Sequence, residues 1–298
     1  MSKGSRIGKA RKRNTEMCRT KNILKRMVRL TLLASVAFAA LLSLVQTDAA
    51  SAATSPTLNT PGALSYSVLA GSIVTNTGPT TIDGNVGISP SIGVPPHFTG
   101  FPPGIVGPPG TIHDADANAA AAQADDTAAF GFLDQPCTTT YAGVQDLTLV
   151  SPLGPGVYCA DAFLLTGNLT LSGSGVWIFK SASTLTTSSG SSVTGGDPCN
   201  VWWRLVSSGT LGTTTSFIGN ILALTSITLN TGATLNGRAL AQTGAVTLDT
   251  NAITTGRCSG GGGGGITSVP TLSEWGMILF MVLAGLGSIV YLRRQKRA

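Results

Sequence analysis

The tightest constraint on this chain is a repeat. Between residues 181 and 256, Thr-Leu-x-Thr recurs as Thr184-Leu185-Thr186-Thr187, Thr210-Leu211-Gly212-Thr213, Thr228-Leu229-Asn230-Thr231 and Thr247-Leu248-Asp249-Thr250, with steps of 26, 18 and 19 residues. A short apolar run precedes each copy, at 176–179, 201–203, 221–224 and 239–241. Side chains of a strand alternate between its faces, so an inward Leu turns its neighbours outward. Short strands at a period near ~20 residues predict a β-solenoid with three faces per coil. The outward set is then Thr184 and Thr186; Ser208, Thr210 and Gly212; Ser226, Thr228 and Asn230; Ala245, Thr247 and Asp249. A threonine-rich β-sandwich fits the spacing equally well, and both architectures stand at this point.

An earlier copy of the grammar lies at Tyr66–Gly87. Between it and the later coils comes a proline-rich stretch, Pro90–Pro109, and then one strong helix expected over Asp114–Leu133. Asp114 is the expected cap, alanine is the best helix former, and Pro136 stops the helix. The order implies a solenoid interrupted by an insertion and a helix. The apolar runs are two-sided, so one face needs a cover, and the alanine-rich helix supplies it.

Charge separates the chain into three. The formal net charge is +6. Residues 51–258 hold four bases and ten acids, whereas residues 1–50 carry +9 and residues 259–298 carry +3. The basic excess is therefore in the ends, which argues against a nucleic-acid partner. A basic run to Arg29, an apolar stretch Leu30–Val45 and small residues around Ala49–Ala53 match an export signal, with Met27 as an alternative start and a membrane anchor as the competing reading. At the other end, Val269-Pro270-Thr271-Leu272-Ser273-Glu274-Trp275-Gly276 leads into an apolar run to Leu292 and a basic cluster, Arg293–Arg297. Together these resemble the IPTL-CTERM protein-sorting segment, which implies an envelope protein whose tail meets a membrane sorting protease. Residues 276–292 are at the lower limit for a membrane span before processing, and a plain tail anchor is the alternative. The expected organisation is 1–52 signal region, 53–258 folded domain, 259–268 glycine-rich linker and 269–298 sorting or transmembrane segment.

With Cys18 lost in the signal, Cys137, Cys159, Cys199 and Cys258 remain, an even number in an exported chain. Three pairings are possible; Cys137–Cys159 with Cys199–Cys258 is the one expected. No C-x-x-C pair suggests a metal, and no catalytic triad, phosphate loop or cofactor fingerprint is legible. Half of the domain's acids (Asp114, Asp116, Asp125, Asp126, Asp134) fall on or beside the helix, where a solvated face is expected. His113 reads as a local capping or packing group, and Trp177 and Trp202 as core residues rather than sugar platforms. No enzyme activity and no cofactor are expected.

A threonine grid of stiff, β-branched side chains offers methyls and hydroxyls in fixed array with few charges, a surface able to order water. Residues from about Leu64 to Thr255 resemble the microbial ice-binding protein family with a discontinuous β-solenoid. The segments Ser67–Gly78, Gly84–Gly87, Pro155–Tyr158 and Gly219–Ala239 carry that resemblance. It implies an all-β fold with one long helix: a discontinuous right-handed three-faced β-solenoid packed against an α-helix, with a flat face that adsorbs to ice without a cofactor. The family's Thr-Ala/Gly-x-Thr/Asn motif is matched at Thr231-Gly232-Ala233-Thr234. It is departed from at Thr213–Ser216 and Thr250–Ile253. The ice-binding residues expected are Thr184, Thr186, Ser208, Thr210, Ser226, Thr228, Asn230, Thr231, Thr234 and Thr247. A surface adhesion module that binds glycan or neighbouring cells is the alternative use of the same scaffold.

Overall fold

The structure is a computed structural model that describes residues 52–59, 62–91 and 95–255. The expected signal region, the linker, the sorting tail and Cys258 lie outside these residues. Among them, no helix is long and apolar enough to cross a membrane.

Three sheets, of nine, eight and seven strands, wrap one core, and every strand pair is parallel. This excludes the sandwich, whose sheets are built from antiparallel hairpins. Each turn of chain contributes a strand to each sheet in the same order; Gly156–Ala160, Ala162–Leu165 and Asn168–Leu171 make one such coil. Large side chains fill the interior. The Phe179 and Trp203 rings stack at 4.1 Å, and Phe217 follows at 4.7 Å from Trp203. The inward Leu of each repeat is confirmed: Leu185, Leu211, Leu229 and Leu248 are all buried.

Stack order differs from chain order. In the nine-stranded sheet, Tyr66–Ala70 pairs with Ala239–Ala241, so the early copy of the repeat sits directly on the last coil. The proline-rich stretch is not a simple insertion, because Phe98–Thr99 and Ile105–Gly107 add a further, irregular coil at that end. The helix then returns the chain to the other end, where Thr139–Thr140 and Val144–Asp146 begin the continuous stack.

The nine-stranded sheet reads as fully buried strands, as in Gly156–Ala160, because both its faces are covered. The interior lies on one side. The helix Ala117–Phe132 lies on the other, over Leu69, Ile178, Trp202, Leu222 and Leu240. Ala119, Ala122 and Ala129 bring it close to the sheet. It starts three residues later than the sequence suggests, and its cap moves by two. Ala115 takes φ +50, outside the helical region, and the Asp116 carboxylate accepts the Ala119 N–H at 2.8 Å as the actual cap. Asp114 instead belongs to the short strand Ile112–Asp114 and bonds His97 Nδ1 at 2.8 Å. At the far end, Arg204 lies over the Phe130 ring at 4.1 Å and donates through Nε to the Phe130 carbonyl at 3.0 Å. Lys180 pairs with Asp134 at 2.6 Å. Cations at a helix C-terminus are favoured by the helix dipole.

The expectation of a solvated acidic helix face fails at two positions. Asp125 is buried and accepts the backbone N–H of Asn59 and of Ala63, holding the N-terminal segment against the helix. Asp126 is fully buried; Gln242 approaches it, yet neither carboxylate oxygen reaches hydrogen-bond geometry. Burial holds this carboxyl well above the usual carboxylate range. The alanine-rich helix gave no apolar stripe from which to place them. Cys137–Cys159 forms as expected. Cys199 is also disulfide-bonded, and its expected partner Cys258 lies outside the described residues.

Candidate functional site

The eight-stranded sheet leaves its outer face open. Its strands run, in stack order, Phe98–Thr99, Val74–Thr77, Val246–Asp249, Ile227–Leu229, Gly209–Leu211, Leu185–Thr187, Ala162–Leu165 and Val144–Asp146. Register fixes which side chains line up. Thr99 pairs with Thr75, Thr75 with Thr247, Thr247 with Thr228, Thr228 with Thr210, and Thr210 with Thr186. The result is an unbroken outward rank of six threonines, one per coil. It ends where Leu164 pairs with Thr186 and Asp146 with Leu164.

The rank has a fixed geometry. Parallel neighbours lie ~4.8 Å apart, so six coils extend the rank over about 24 Å. Thr75 and Thr247 hydroxyls approach to 3.4 Å along it. Thr186, Thr210 and Thr228 hydroxyls have no partner among the described residues. Most of the inward neighbours along these strands, among them Val74, Leu185, Leu211, Ile227, Leu229 and Leu248, are buried aliphatics, and each threonine of the rank is β-branched and stiff at χ1.

Flanking ranks lie two residues either side, about 6.6 Å away. One contains Thr184, Ser208, Ser226 and Ala245, located by the amide bonds of Leu185 to Ser208 O, Gly209 to Ser226 O and Ile227 to Ala245 O. The serine hydroxyls there are partly engaged inward: Ser208 Oγ accepts from Ser226 N at 3.3 Å, and Ser226 Oγ from Ala245 N at 3.2 Å. The other flank holds Thr77, Asp249 and Asn230. Here one coil is shorter. Four residues, 230–233, face three, 249–251, between the register pairs Leu229↔Leu248 and Thr234↔Ala252. The Asp249 carboxylate accepts from the hydroxyls of Thr231 and Thr250 across this gap.

Most of the expected residues converge on this sheet, with two exceptions. Thr231 is at the corner, and Thr234 begins the strand Thr234–Asn236 of the seven-stranded sheet, round that corner. The first repeat is also displaced. Thr186, not Thr184, pairs with Thr210, so that coil is 24 residues and not 26. Thr75 and Thr99, which extend the rank, went unassigned from sequence. Both precede the helix, and only strand register puts Thr75 beside Thr247 and Thr99 beside Thr75. Thr187 and Thr215, by contrast, are buried, with hydroxyls 2.9 Å apart inside the corner.

The seven-stranded sheet is exposed too but mixed. One outward rank reads Ser192, Ser216, Thr234, Ala252, Thr81, Ile105, and the other includes Ile218 and Asp83.

Other candidates resolve as structural. His113 bonds Asp116 at 2.7 Å and Thr111 at 2.8 Å, bracing the helix cap. Trp177, Trp202 and Trp203 are buried. A groove beside Cys159 contains Lys180 and Arg204, both already committed to the helix end. Among the described residues, no group of His, Cys, Asp or Glu could hold a metal ion.

A sequence family described as ice-binding-like matches residues 68–254. The chain belongs to the ice-binding-like family. An ice-binding protein of Nostoc sp. (strain HG1) is 46% identical over 230 residues, covering 74% of this chain and 80% of its own. One from Colwellia sp. is 32% identical over 209 residues, 63% of this chain and 79% of its own. Among solved structures, an ice-binding protein from an Antarctic biological consortium superposes with a TM-score of 0.61 at 37% identity, covering 69% of this chain and 94% of that one. That of the Antarctic ascomycete Antarctomyces psychrotrophicus gives 0.59 at 37% identity, covering 67% and 98%. Residues 267–296 match the IPTL-CTERM motif.

Proposed function

We propose that this protein adsorbs to ice through its eight-stranded sheet, with Thr75, Thr99, Thr186, Thr210, Thr228 and Thr247 as the central contact. The carrying observation is the rank itself: six identical, outward, uncharged side chains at a fixed repeat. Its methyls restrict water and its hydroxyls anchor it, so an ice-like layer forms on the face before contact and merges with the crystal. Adsorption pins the ice front, and the curvature between pinned points lowers the local freezing temperature and inhibits recrystallisation. Thr184, Ser208, Ser226, Asn230 and Thr231 border this contact, and Thr234 stands beyond it. The mechanism breaks no bond and needs no cofactor or enzymatic group.

We place the working protein outside the cytoplasm. Family membership and the sorting motif support export, with the tail read by a sorting protease. Ice-affinity partitioning of purified residues 53–258 tests the function. Incorporation into slowly grown ice, with recrystallisation inhibited at micromolar concentration, is the expected result. Exclusion from ice together with retention on a glycan surface would favour the adhesion module instead.

A further inference from the structure

The solenoid has three sides and therefore three edges. The edge where the seven-stranded sheet hands the chain to the helix-covered sheet is opposite the threonine sheet. The last described strand, Ala252–Thr254, belongs to the seven-stranded sheet, so the chain leaves the described structure on that edge, at Thr255. Two other features share the edge. Cys199 lies in the turn Pro198–Asn200, between Ser192–Gly195 and Val201–Leu205, and is disulfide-bonded. Arg238, buried, follows Thr234–Asn236 and donates to the Leu64 carbonyl at 2.8 Å and to Asn220 at 2.9 Å, tying down the incoming chain. The segment from Thr54 is bound to the helix side, through Gln135 and Trp202. Both ends of the domain are thus held away from the threonine face.

We infer that the protein grips ice and its own cell envelope at once, with its C-terminal tether rooted on the edge opposite the ice face and stapled there by a Cys199–Cys258 disulfide. This rests on the threonine sheet being the ice contact. The cysteine inventory favours the staple: Cys137 and Cys159 are joined to each other, and Cys18 falls in the expected signal. The reach is adequate. Thr255 is three coils from the Cys199 corner, about 14 Å along the stack. Three extended residues cover about 10 Å, and a disulfide adds ~5.5 Å between Cα atoms.

The staple changes where load enters. Pulling on an unlinked tail would peel Ala252–Thr254 and then Val246–Asp249 from their neighbours. Through Cys199, force reaches the stack at a turn flanked by two paired strands and bypasses the chain from 200 to 257 altogether. Beyond Cys258, seventeen residues, 259–275, precede the apolar run of the tail, a contour of at most about 55–60 Å. That is enough to set the domain edge-down on an envelope with its threonine face outward.

The test uses an exporting bacterial host that makes the full chain. Cells carrying it are expected to be captured by slowly growing ice, at least tenfold above cells without it. Truncation after Cys258 should abolish capture while moving recrystallisation inhibition into the medium. Full-chain C199S and C258S should each lose captured cells under shear that leaves the parent in place, with the soluble C258S domain still inhibiting recrystallisation. Peptide mapping without reduction should join Cys199 to Cys258. Uncaptured cells whose extracted protein inhibits recrystallisation would overturn the tether and leave the ice face intact. Mapping of Cys199 to another cysteine would overturn the staple. Failure of every form, soluble domain included, to bind ice would remove the ice-face reading and this inference with it.

Discussion

Thr228 is the most informative residue to change. It is in the middle of the rank, flanked by Thr210 and Thr247, and its side chain has no protein partner among the described residues. The central rank and its two flanks cover about 24 by 13 Å, or roughly 300 Å². At ~25 cal/mol per Å², complete exclusion of bulk water from that area is worth at most about 7–8 kcal/mol. A tyrosine at 228 stands proud of its neighbours, so a flat crystal plane can rest on the coils to one side of it only. More than half of the contact is lost, a weakening of about 4 kcal/mol on the same scale. The fold is barely touched, since a surface substitution of a half-buried, outward side chain without a protein hydrogen bond changes stability by about 0.5 kcal/mol or less. The matched control is Thr194→Tyr, an outward, exposed position on the seven-stranded sheet. Freezing hysteresis and recrystallisation inhibition should collapse for T228Y and persist for T194Y, with both variants unfolding at the parent temperature by circular dichroism. Full activity in T228Y, or loss in T194Y alone, would refute the face assignment.

Leu164→Thr continues the rank into a seventh coil, and raised hysteresis at equal concentration is expected; no gain would mean the face ends for a reason other than this side chain. Asp126→Asn addresses the buried carboxyl. Its folded-state pKa is raised, so the folded protein binds a proton that the unfolded chain releases as pH passes the ordinary carboxylate range. That group's penalty is absent in acid and grows as pH rises, so the thermal midpoint of D126N should exceed the parent's at pH 8 and the gap should close near pH 4. Cys137→Ser opens a link of sequence separation 22. A cost of about 3 kcal/mol is expected from the lost constraint on the unfolded chain, read by denaturant unfolding.

Much of this could be read from sequence because a solenoid is a local pattern repeated. Leu185, Leu211, Leu229 and Leu248 identified the inward positions, and their neighbours identified a face. What escaped needed register or stacking. Thr184 and Thr186 are both outward, and only pairing shows that Thr186 is the one aligned with Thr210. Thr75 and Thr99 come from the far side of the helix in sequence, so no spacing rule connects them to Thr247. Threonine also has two uses that composition merges. Thr228 meets solvent, whereas Thr215 lies inside a corner and bonds Thr187 there. On the helix, burial of Asp125 and Asp126 depends on close approach permitted by alanines, and alanine periodicity is too weak a signal to reveal it.

The splice in the stack has a consequence for how the protein is made. The last coil slots between Thr234–Asn236 on one side and Thr81–Asp83 on the other, so a chain not yet synthesised to Thr254 has a gap in its middle and not at its tip. Pairing Tyr66–Ala70 with Ala239–Ala241 joins residues separated by most of the domain, a contact of high order that is slow to find. Until then, two unpaired sheet edges face each other, the kind of surface that invites pairing with another chain. Once closed, both tips of the stack are formed from internal sequence, and neither chain end can start unravelling at a tip. The domain is therefore a product of the complete chain: exposed to misassembly while it waits for its final strand, and locked when that strand arrives.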